Sequence, residues 1–373
     1  MKIVIAVDSF KDSMSAITAT HVIAQGISRI SPNTEIVSCP IADGGEGTVD
    51  TFLAAIDGLR QHDYVTGPLG DSQKASWAIF PDKKLAVIEL AQAAGLQLVP
   101  EVKRNPLNTT TFGVGELIRF ALDAKVNRIV VGIGGSATND GGTGLAQALG
   151  VQFDGVDSPI TGGSLSDIKE IDRSSIDHRI NNIKIDVACD VKNVLTGPEG
   201  AAHVYAAQKG ATPEQIKILD VGLTHLASLM PVVNPNYPGA GAAGGVGWGL
   251  MAFCNAKLHK GIELILDALN FSEIIDDTDL IITGEGKMDN QSLQWKAPFG
   301  VAEYALKKGI PTVALCGDHN IDQLNIRKHG IQACYSICKD LNIPVKQAIN
   351  DGEKLIEELT VKVLLEFISR NCS

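Results

Sequence analysis

Residues 2–11 read KIVIAVDSFK, in which five apolar residues are followed at once by Asp8. The apolar run is too short for a signal-peptide core, and its residues do not alternate with polar ones. Such a run is typical of a β-strand that is covered on both faces. Eight runs of this kind predict strands at Ile3–Val7, Ile36–Cys39, Leu85–Leu90, Arg128–Val131, Lys184–Cys189, Asp279–Thr283, Thr312–Cys316 and Ala333–Cys338.

Helical stretches lie between many of these strands. The first carries Ile23, Ile27 and Ile30 on one face, with Ser13 or Ser15 as its N-cap. Strands that alternate with helices predict parallel, right-handed crossover units. The sequence therefore predicts an α/β protein whose main domain is a doubly wound parallel sheet.

A chain of 373 residues exceeds the size at which a single core usually stops growing, so two domains are expected. Strands and helices alternate regularly near both ends of the chain, but residues Gln61–Trp77 are polar and irregular. We therefore predict one discontinuous domain of residues 1–65 and 272–373. A mixed α/β domain is expected to be inserted at residues 66–271, with the active site in the cleft between the two.

The composition argues against several function classes. The formal net charge is −11 and no run of basic residues is present, so no nucleic-acid surface or anionic membrane patch is expected. No stretch is long and apolar enough to span a membrane. The seven cysteines are scattered and lack His partners at zinc spacing, which predicts reduced thiols, no zinc site and a cytoplasmic location.

At many places a predicted strand ends and an acidic residue or a glycine cluster follows at once. In open α/β sheets, ligands bind outside the carboxyl ends of the strands. Asp and Gly also form ordinary turns and helix caps, which is a sufficient explanation for any single strand end. Their repetition favours a shared binding site. The six segments are Asp8–Lys11, Asp43–Gly47, Gly132–Gly142, Asp190, Gly284–Asp289 and Gly317–Asp318.

The segment Gly132–Gly142 is the richest of the six. Its glycines allow the backbone to approach a ligand, and consecutive N–H groups before a helix form an anion-binding nest. Asp140 could hold a divalent cation or accept a proton. The spacing Gly132-x-Gly134-x-x-Ala137 also fits the dinucleotide-binding pattern, so a nicotinamide-dependent enzyme stays possible. The chain has no Walker A sequence, which excludes a P-loop NTPase.

The segment Gly284–Asp289 places Lys287 on what the sequence predicts to be a flexible turn. There its ammonium group can neutralise a phosphate, with Glu285 and Asp289 beside it as in a metal-plus-lysine arrangement. A solvated turn with an exposed ion pair explains the same residues equally well.

The tract Gly239–Gly249 is too rich in glycine for an ordinary helix. It predicts either a mobile loop over the cleft or a segment whose glycines permit close backbone packing between the domains. We favour the loop.

Taken in order, these segments resemble the bacterial type I glycerate kinase family. The resemblance implies a Rossmann-like domain with a second α/β domain, and phosphorylation of D-glycerate that depends on ATP and Mg²⁺. It implies 2-phosphoglycerate as the product, with a 3-phosphoglycerate-forming kinase as an alternative. The motifs that carry it are Asp8–Lys11, Ala42–Thr48, Arg104–Pro106, Thr110–Gly113, Gly132–Gly142, Cys189–Val191, Gly239–Gly249 and Ile282–Gly286.

Phosphoryl transfer needs mainly positioning and charge neutralisation from the protein. A carboxylate must accept the hydroxyl proton, and we expect Asp190 to do so, with Asp8 and Asp43 as alternatives. Arg104 is expected to pair with the glycerate carboxylate. The expected site comprises catalytic Asp190, Lys11 and Lys287; substrate-binding Asp8, Ser9, Asp43 and Arg104; phosphate- or nucleotide-binding Gly134, Gly135, Ser136, Thr138, Asn139 and Gly284; and metal-binding Glu46, Asp140, Glu285 and Asp289.

Two other classes of protein stay open at this point. An NAD(P)-dependent oxidoreductase of a small hydroxy acid would use the glycine pattern at Gly132, and a non-catalytic sensor of nucleotides or small acids would leave the many acidic residues unexplained. The expected partners are glycerate and ATP, with no nucleic acid and no membrane. The sequence leaves a homodimer open.

Overall fold

The computed structural model describes residues 1–42, 45, 47–289 and 297–371. The strands are β1 (Lys2–Val7), β2 (Glu35–Ser38), β3 (Leu59–Thr66), β4 (Ser72–Phe80), β5 (Leu85–Glu89), β6 (Arg128–Gly132), β7 (Gln152–Asp154), β8 (Glu170–Asp172), β9 (Lys184–Ala188), β10 (Lys257–His259), β11 (Leu280–Met288), β12 (Thr312–His319) and β13 (Ala333–Ser336). The α-helices are α1 (Ala16–Ile30), α2 (Thr48–Ala55), α3 (Ala91–Ala94), α4 (Phe112–Asp123), α5 (Thr143–Ala148), α6 (Ala201–Tyr205), α7 (Pro213–Leu229), α8 (Ala242–Cys254), α9 (Gly261–Ala268), α10 (Phe271–Ile274), α11 (Ala297–Lys307), α12 (Gln323–Lys328), α13 (Ile337–Asp340), α14 (Val345–Asn350) and α15 (Gly352–Asn371). None of the described helices is both long and apolar enough to cross a membrane.

The chain forms two compact units. The first comprises Met1–Asp43, Asp50–Ile56 and Ile262–Ser373, and the second comprises Gly44–Val49 and Asp57–Gly261. Residues 59–66 belong to the second unit because β3 pairs along its whole length with β4.

The sheet of the first unit has five parallel strands in the order β13-β12-β11-β1-β2. Residues Ile3–Val7 of β1 are fully buried, as expected for a parallel strand with both faces covered. From β1 the chain continues outward to β2, whereas from β11 it continues to β12 and β13 on the other side. The topological switch point of this sheet therefore lies between β1 and β11.

The sheet of the second unit has the order β10-β9-β6-β5-β4-β3. Its first four strands are parallel, while β4 pairs antiparallel with β5 and with β3. The short strands β7 and β8 form a separate antiparallel pair. The predicted fold class, a doubly wound parallel sheet with a mixed α/β partner, is confirmed.

A buried carboxylate ties together the parallel strands of the second unit. Asp186 of β9 is fully buried and accepts hydrogen bonds from Arg128 Nε at 2.7 Å and from His259 Nε2 at 2.8 Å. Lys184 Nζ lies 3.0 Å from the same carboxylate. Burial raises the pKa of Asp186, but the hydrogen bonds and charges of Lys184 and Arg128 outweigh it, so the pKa is lowered. The cluster is therefore an ion network whose contribution to the free energy of unfolding depends on the charge of Asp186.

One sequence prediction about secondary structure is wrong in the region Gln61–Trp77. This region forms the antiparallel hairpin of β3 and β4, with Leu59 opposite Ile79 and Thr66 opposite Ser72. The hairpin lies at the edge of the sheet, and alternate residues of β3 are exposed. A strand with one open face carries alternating polar residues, so a search for continuous apolar runs does not find it.

The expected mobile loop at Gly239–Gly249 is also wrong. Most of this tract forms the start of α8, which is buried in the core of the second unit. Gly245 has φ 92°, a left-handed conformation that glycine adopts without strain. A Cβ atom on Gly249 would collide with the carbonyl oxygen of Gly141. The glycines therefore serve close backbone packing within one unit.

Candidate active site

The second unit carries a row of polar strand ends. Its parallel strands β5, β6 and β9 are neighbours, and their register aligns Glu89 with Gly132 and Gly132 with Ala188. The segments after these strands therefore leave the sheet at one edge, where ligands of α/β proteins bind. The glycine-rich loop Gly134–Asn139 follows β6, and Asp190 follows β9.

The loop Gly134–Asn139 is fastened to its surroundings through its backbone. Its Ala137 N–H donates to the last carbonyl of α3 at 2.8 Å and is not available to a ligand. Thr138 and Asn139 are fully buried, and the hydroxyl of the first and the amide of the second have no hydrogen-bond partner within the described chain. Gly135 has φ 71° and is exposed. The predicted phosphate cradle is thus reached by solvent only at its glycine end.

Asp140 has four hydrogen bonds from the protein. Its carboxylate accepts from the N–H and the hydroxyl of Thr111 at 2.8 and 2.7 Å, and from the N–H groups of Gly142 and Gly144 at 3.1 and 3.4 Å. Burial raises its pKa, and these hydrogen bonds act in the opposite direction. Because its donors lie at the starts of α4 and α5, Asp140 binds two helix N-termini together. A metal ion could reach it only if these bonds were broken.

Lys209 is a part of this region that sequence reasoning missed. Its side chain is buried, with 2% exposure, and its Nζ donates to Ser136 Oγ at 2.8 Å and to the carbonyl of Thr138 at 2.7 Å. Burial lowers the pKa of Lys209 to about 7, while the charge of Asp140 acts to raise it. The amine therefore fixes the loop Gly134–Asn139 by two hydrogen bonds on its buried side. No sequence motif marks Lys209 as a functional residue, because it precedes a glycine in an otherwise ordinary helical segment.

Arg104 packs against the backbone that carries Lys209. A Cβ atom on the next residue, Gly210, would collide with the carbonyl oxygen of Arg104. Arg104 is half-buried, and its Nε atom has no hydrogen-bond partner among the described residues. A guanidinium with a buried, unpaired N–H can bind a carboxylate as a bidentate pair. The structure thus brings Arg104 into the neighbourhood of the glycine-rich loop.

Asp190 is exposed at the end of β9. Its Oδ1 atom accepts a hydrogen bond of 2.8 Å from the N–H of Gly261. This bond fixes the orientation of a carboxylate that solvent can reach. These are the properties that a general base for a hydroxyl group requires.

Glu89 is a second residue that the sequence search left out. It ends β5, is buried, and accepts a 2.7 Å hydrogen bond from the N–H of Val49 in the first turn of α2. A carboxylate at a helix N-terminus is stabilised by the helix dipole. The signal was present in the sequence, because Glu89 follows an apolar run as the other acidic strand ends do.

Seven other predicted residues lie in the first unit, after β1 or in and just after β11. Asp8 follows β1, and its N–H donates to the carbonyl of Gly284 at 2.9 Å. Its carboxylate accepts the N–H of the exposed Ser9 at 2.6 Å. Lys11 and Lys287 are exposed at neighbouring strand ends, where each ammonium group can meet an anion.

The predicted flexible turn at Gly284–Lys287 is instead a strand. β11 continues to Met288 and pairs with β12 as far as Met288 opposite His319. A Cβ atom on Gly284 would collide with the carbonyl oxygen of Leu315, so this glycine serves strand pairing. Glu285 is buried and Asp289 is half-buried at the end of the same strand.

Two predicted residues, Asp43 and Glu46, lie outside the described residues. Within the described ranges, no three His, Cys, Asp or Glu side chains lie together in a way that could hold a metal ion. Mg²⁺ is usually bound by one or two carboxylates together with substrate phosphates and water. Glu285 within β11 and Asp289 just after it each offer oxygen donors for such a site, but about 13 Å of extended strand separates their Cα atoms, so one ion would take one of the two carboxylates.

Comparison with known proteins identifies the family. A family model described as the glycerate kinase family matches residues 3–367. The chain belongs to the glycerate kinase family. It is 47% identical to a glycerate kinase from Halalkalibacterium halodurans, over 95% of each chain. It is 47% identical to a glycerate 2-kinase from Escherichia coli, over 90% of each chain.

Structure comparison leads to the same family. A crystal structure from Salmonella typhimurium LT2, described as a glycerate kinase 2, matches with a TM-score of 0.87 and 42% identity. The match covers 100% of this chain and 99% of the other. The family resemblance read from the sequence motifs is therefore confirmed, and the oxidoreductase and sensor alternatives have no support from these relatives.

Proposed function

We propose that the protein is an ATP- and Mg²⁺-dependent kinase that converts D-glycerate to 2-phosphoglycerate. The observation that carries the proposal is that the chain matches several glycerate kinases along nearly their whole length. One of them, from Bacillus subtilis, is 44% identical over 96% of this chain. The name of the Escherichia coli relative, glycerate 2-kinase, supports the 2-phosphate as the product.

The second unit supplies groups suited to glycerate. The guanidinium of Arg104 would pair with the glycerate carboxylate, since its buried Nε lacks another partner within the described chain. Asp190 would accept the proton of the C2 hydroxyl as its oxygen attacks the γ-phosphorus of ATP. The O–P bond to glycerate forms while the bond between the γ-phosphorus and the β–γ bridging oxygen breaks. The hydrogen bond from Gly261 keeps the Asp190 carboxylate oriented for this transfer.

The first unit supplies groups suited to the polyphosphate. Lys11 and Lys287 would neutralise the charge that develops on the phosphate oxygens. Either Glu285 or Asp289 would hold Mg²⁺ together with the phosphates, and the ion would lower the charge of the nucleotide. We propose no metal role for Asp140, because its carboxylate already accepts four hydrogen bonds from the protein. The predicted cleft between two domains, the cytoplasmic location and the homodimer stay predictions.

A coupled assay of ADP release tests the proposed function. With saturating ATP, Mg²⁺ and D-glycerate we expect turnover on the order of 1–100 s⁻¹, as for other kinases. Omission of glycerate, or chelation of Mg²⁺ with excess EDTA, should abolish the release. A folded preparation that releases no ADP with D-glycerate would overturn the proposal.

A further inference from the structure

The first unit contains a cavity of about 320 Å³ that none of the roles assigned above explains as a whole. Its lining combines apolar side chains, among them Phe10, Met14, Ile337 and Ala348, with the charged side chains of Lys11, Asp12, Lys287 and Asp318. Small-molecule sites in proteins have this character, a mainly apolar wall with a few polar groups, and volumes from about 300 Å³ upward. The cavity is therefore large enough for a flat heterocycle with an attached sugar.

The cavity lies at the topological switch point of the five-stranded sheet. Phe10–Met14 follows β1, while Gly286 and Lys287 belong to the end of β11, and all of them line it. β1 and β11 are adjacent, and the chain leaves them in opposite directions across the sheet. Ligands of doubly wound sheets bind in the crevice at this point, outside the carboxyl ends of the strands.

The rim of the cavity exposes apolar surface. Val345 and Ile349 of α14 are 55% and 38% exposed, respectively, and both line the cavity. Ser13 Oγ donates to the carbonyl of Ile349 at 2.8 Å, which fastens α14 to the loop after β1. Exposed aliphatic residues beside a concave, apolar wall indicate a surface that an apolar ligand covers.

The charges of the cavity indicate the second half of the ligand. Lys11 and Lys287 are exposed and line the cavity, and so do the carboxylates of Asp12 and Asp318. A nucleotide fits all of these features, because its base covers the apolar wall, its ribose hydroxyls can donate to a carboxylate, and its anionic phosphate chain pairs with lysine. The backbones of Gly286 and Lys11 pack closely at the wall of the cavity, since a Cβ atom on Gly286 would lie 3.0 Å from the N atom of Lys11.

We infer that this cavity binds the purine nucleoside of ATP, with the phosphate chain directed towards Lys11 and Lys287. The inference rests on the proposed use of ATP and adds the location of the nucleoside to it. It assigns the nucleoside to the first unit, whereas the sequence pattern at Gly132 suggested nucleotide binding in the second. The loop Gly134–Asn139 is then left to meet the transferred phosphate or the glycerate.

Nucleotide affinity measured without turnover tests the inference. ADP binding is titrated by calorimetry for the wild type, for Ile349→Asp and for Val345→Asp, with circular dichroism as the check of folding. Each variant replaces an exposed apolar contact by a charge that repels phosphate, so we expect at least a tenfold increase in the Kd of ADP. Leu365→Asp is the matched control, because Leu365 of α15 is 52% exposed, lies in the same unit and does not line the cavity. The control should bind ADP as the wild type does.

The outcomes separate this inference from the proposed function. A folded Ile349→Asp or Val345→Asp protein that binds ADP with unchanged affinity would overturn the nucleoside site, even if glycerate is phosphorylated. Absence of glycerate turnover together with a tenfold loss of ADP affinity would overturn the substrate but support the site. Photolabelling of the wild type with 8-azido-ADP decides independently of any variant. Label is expected in Phe10–Met14 or Ile337–Gly352, and label confined to the second unit would contradict the inference.

Discussion

Replacement of the buried Lys209 by methionine should change how the stability of the second unit depends on pH. In the native protein the amine is buried and donates two hydrogen bonds, to Ser136 Oγ and to the carbonyl of Thr138. Methionine has a similar volume but neither the charge nor the donors. The difference between the two proteins at several pH values therefore isolates the titration of this one amine.

The magnitude follows from the lowered pKa of Lys209, which is about 7 instead of 10.5. Above about pH 7 the native protein loses this proton, whereas the unfolded chain keeps it up to about pH 10. The unfolded state then binds more protons, so native stability rises with pH by up to about 1.4 kcal/mol per pH unit. Between pH 6 and pH 8 the wild type should therefore gain about 1.4 kcal/mol relative to Lys209→Met.

Amide hydrogen exchange of β6 is the suitable assay, because a chain with two units need not unfold in one step. After correction for intrinsic exchange rates, the protection of the wild type relative to Lys209→Met should rise about tenfold from pH 6 to pH 8. Lys217→Met, on the exposed surface of α7, is the matched control and should run parallel to the wild type. Parallel profiles for Lys209→Met and the wild type would refute the reasoning, since they would mean that the amine titrates alike in both states.

Three further predictions concern the site and its support. Asp190→Asn keeps an oxygen for the Gly261 N–H but loses the base, so kcat in the ADP assay should fall about 10²- to 10⁴-fold while ADP affinity measured by calorimetry stays within twofold; activity that survives largely intact would show that another carboxylate is the base. Arg104→Met should raise the KM for D-glycerate at least tenfold and leave the KM for ATP within twofold, and equal changes in both constants would argue against a carboxylate clamp. Asp186→Asn should lower the free energy of unfolding of the second unit by about 3 kcal/mol at pH 7. Because its carboxylate has a lowered pKa, the contribution of Asp186 is complete above about pH 4 and disappears as the pH falls further. A gap between wild type and variant that stays constant in hydrogen exchange from pH 6 to pH 3 would contradict this.

The fold was accessible from the sequence wherever strands are buried on both faces. The runs at Ile3–Val7 and Arg128–Val131 are apolar without interruption because helices cover both sides of a parallel sheet, and their strands are found as expected. The hairpin of β3 and β4 escaped because its open face carries polar residues. The helix α8 was not predicted because its glycines are required by close contact with the backbone of Gly141, which is distant in sequence.

The site was accessible only as a set of strand ends. Asp190 and the glycine-rich loop could be placed at one edge because parallel strands end together. The role of Asp140 could not be predicted, because its hydrogen-bond donors Thr111 and Gly144 belong to two helices whose packing the sequence does not reveal. Lys209 was missed for the same reason, because its partners lie about seventy residues away in the chain.

Identification of the product by NMR tests the central claim most directly. The enzyme is incubated with ATP, Mg²⁺ and D-glycerate, and the phosphoglycerate is identified from its ³¹P and ¹H spectra. The account predicts 2-phosphoglycerate formed in step with ADP. Formation of 3-phosphoglycerate would contradict the proposed position of transfer, and the absence of any phosphoglycerate from an active, folded preparation would contradict the function itself.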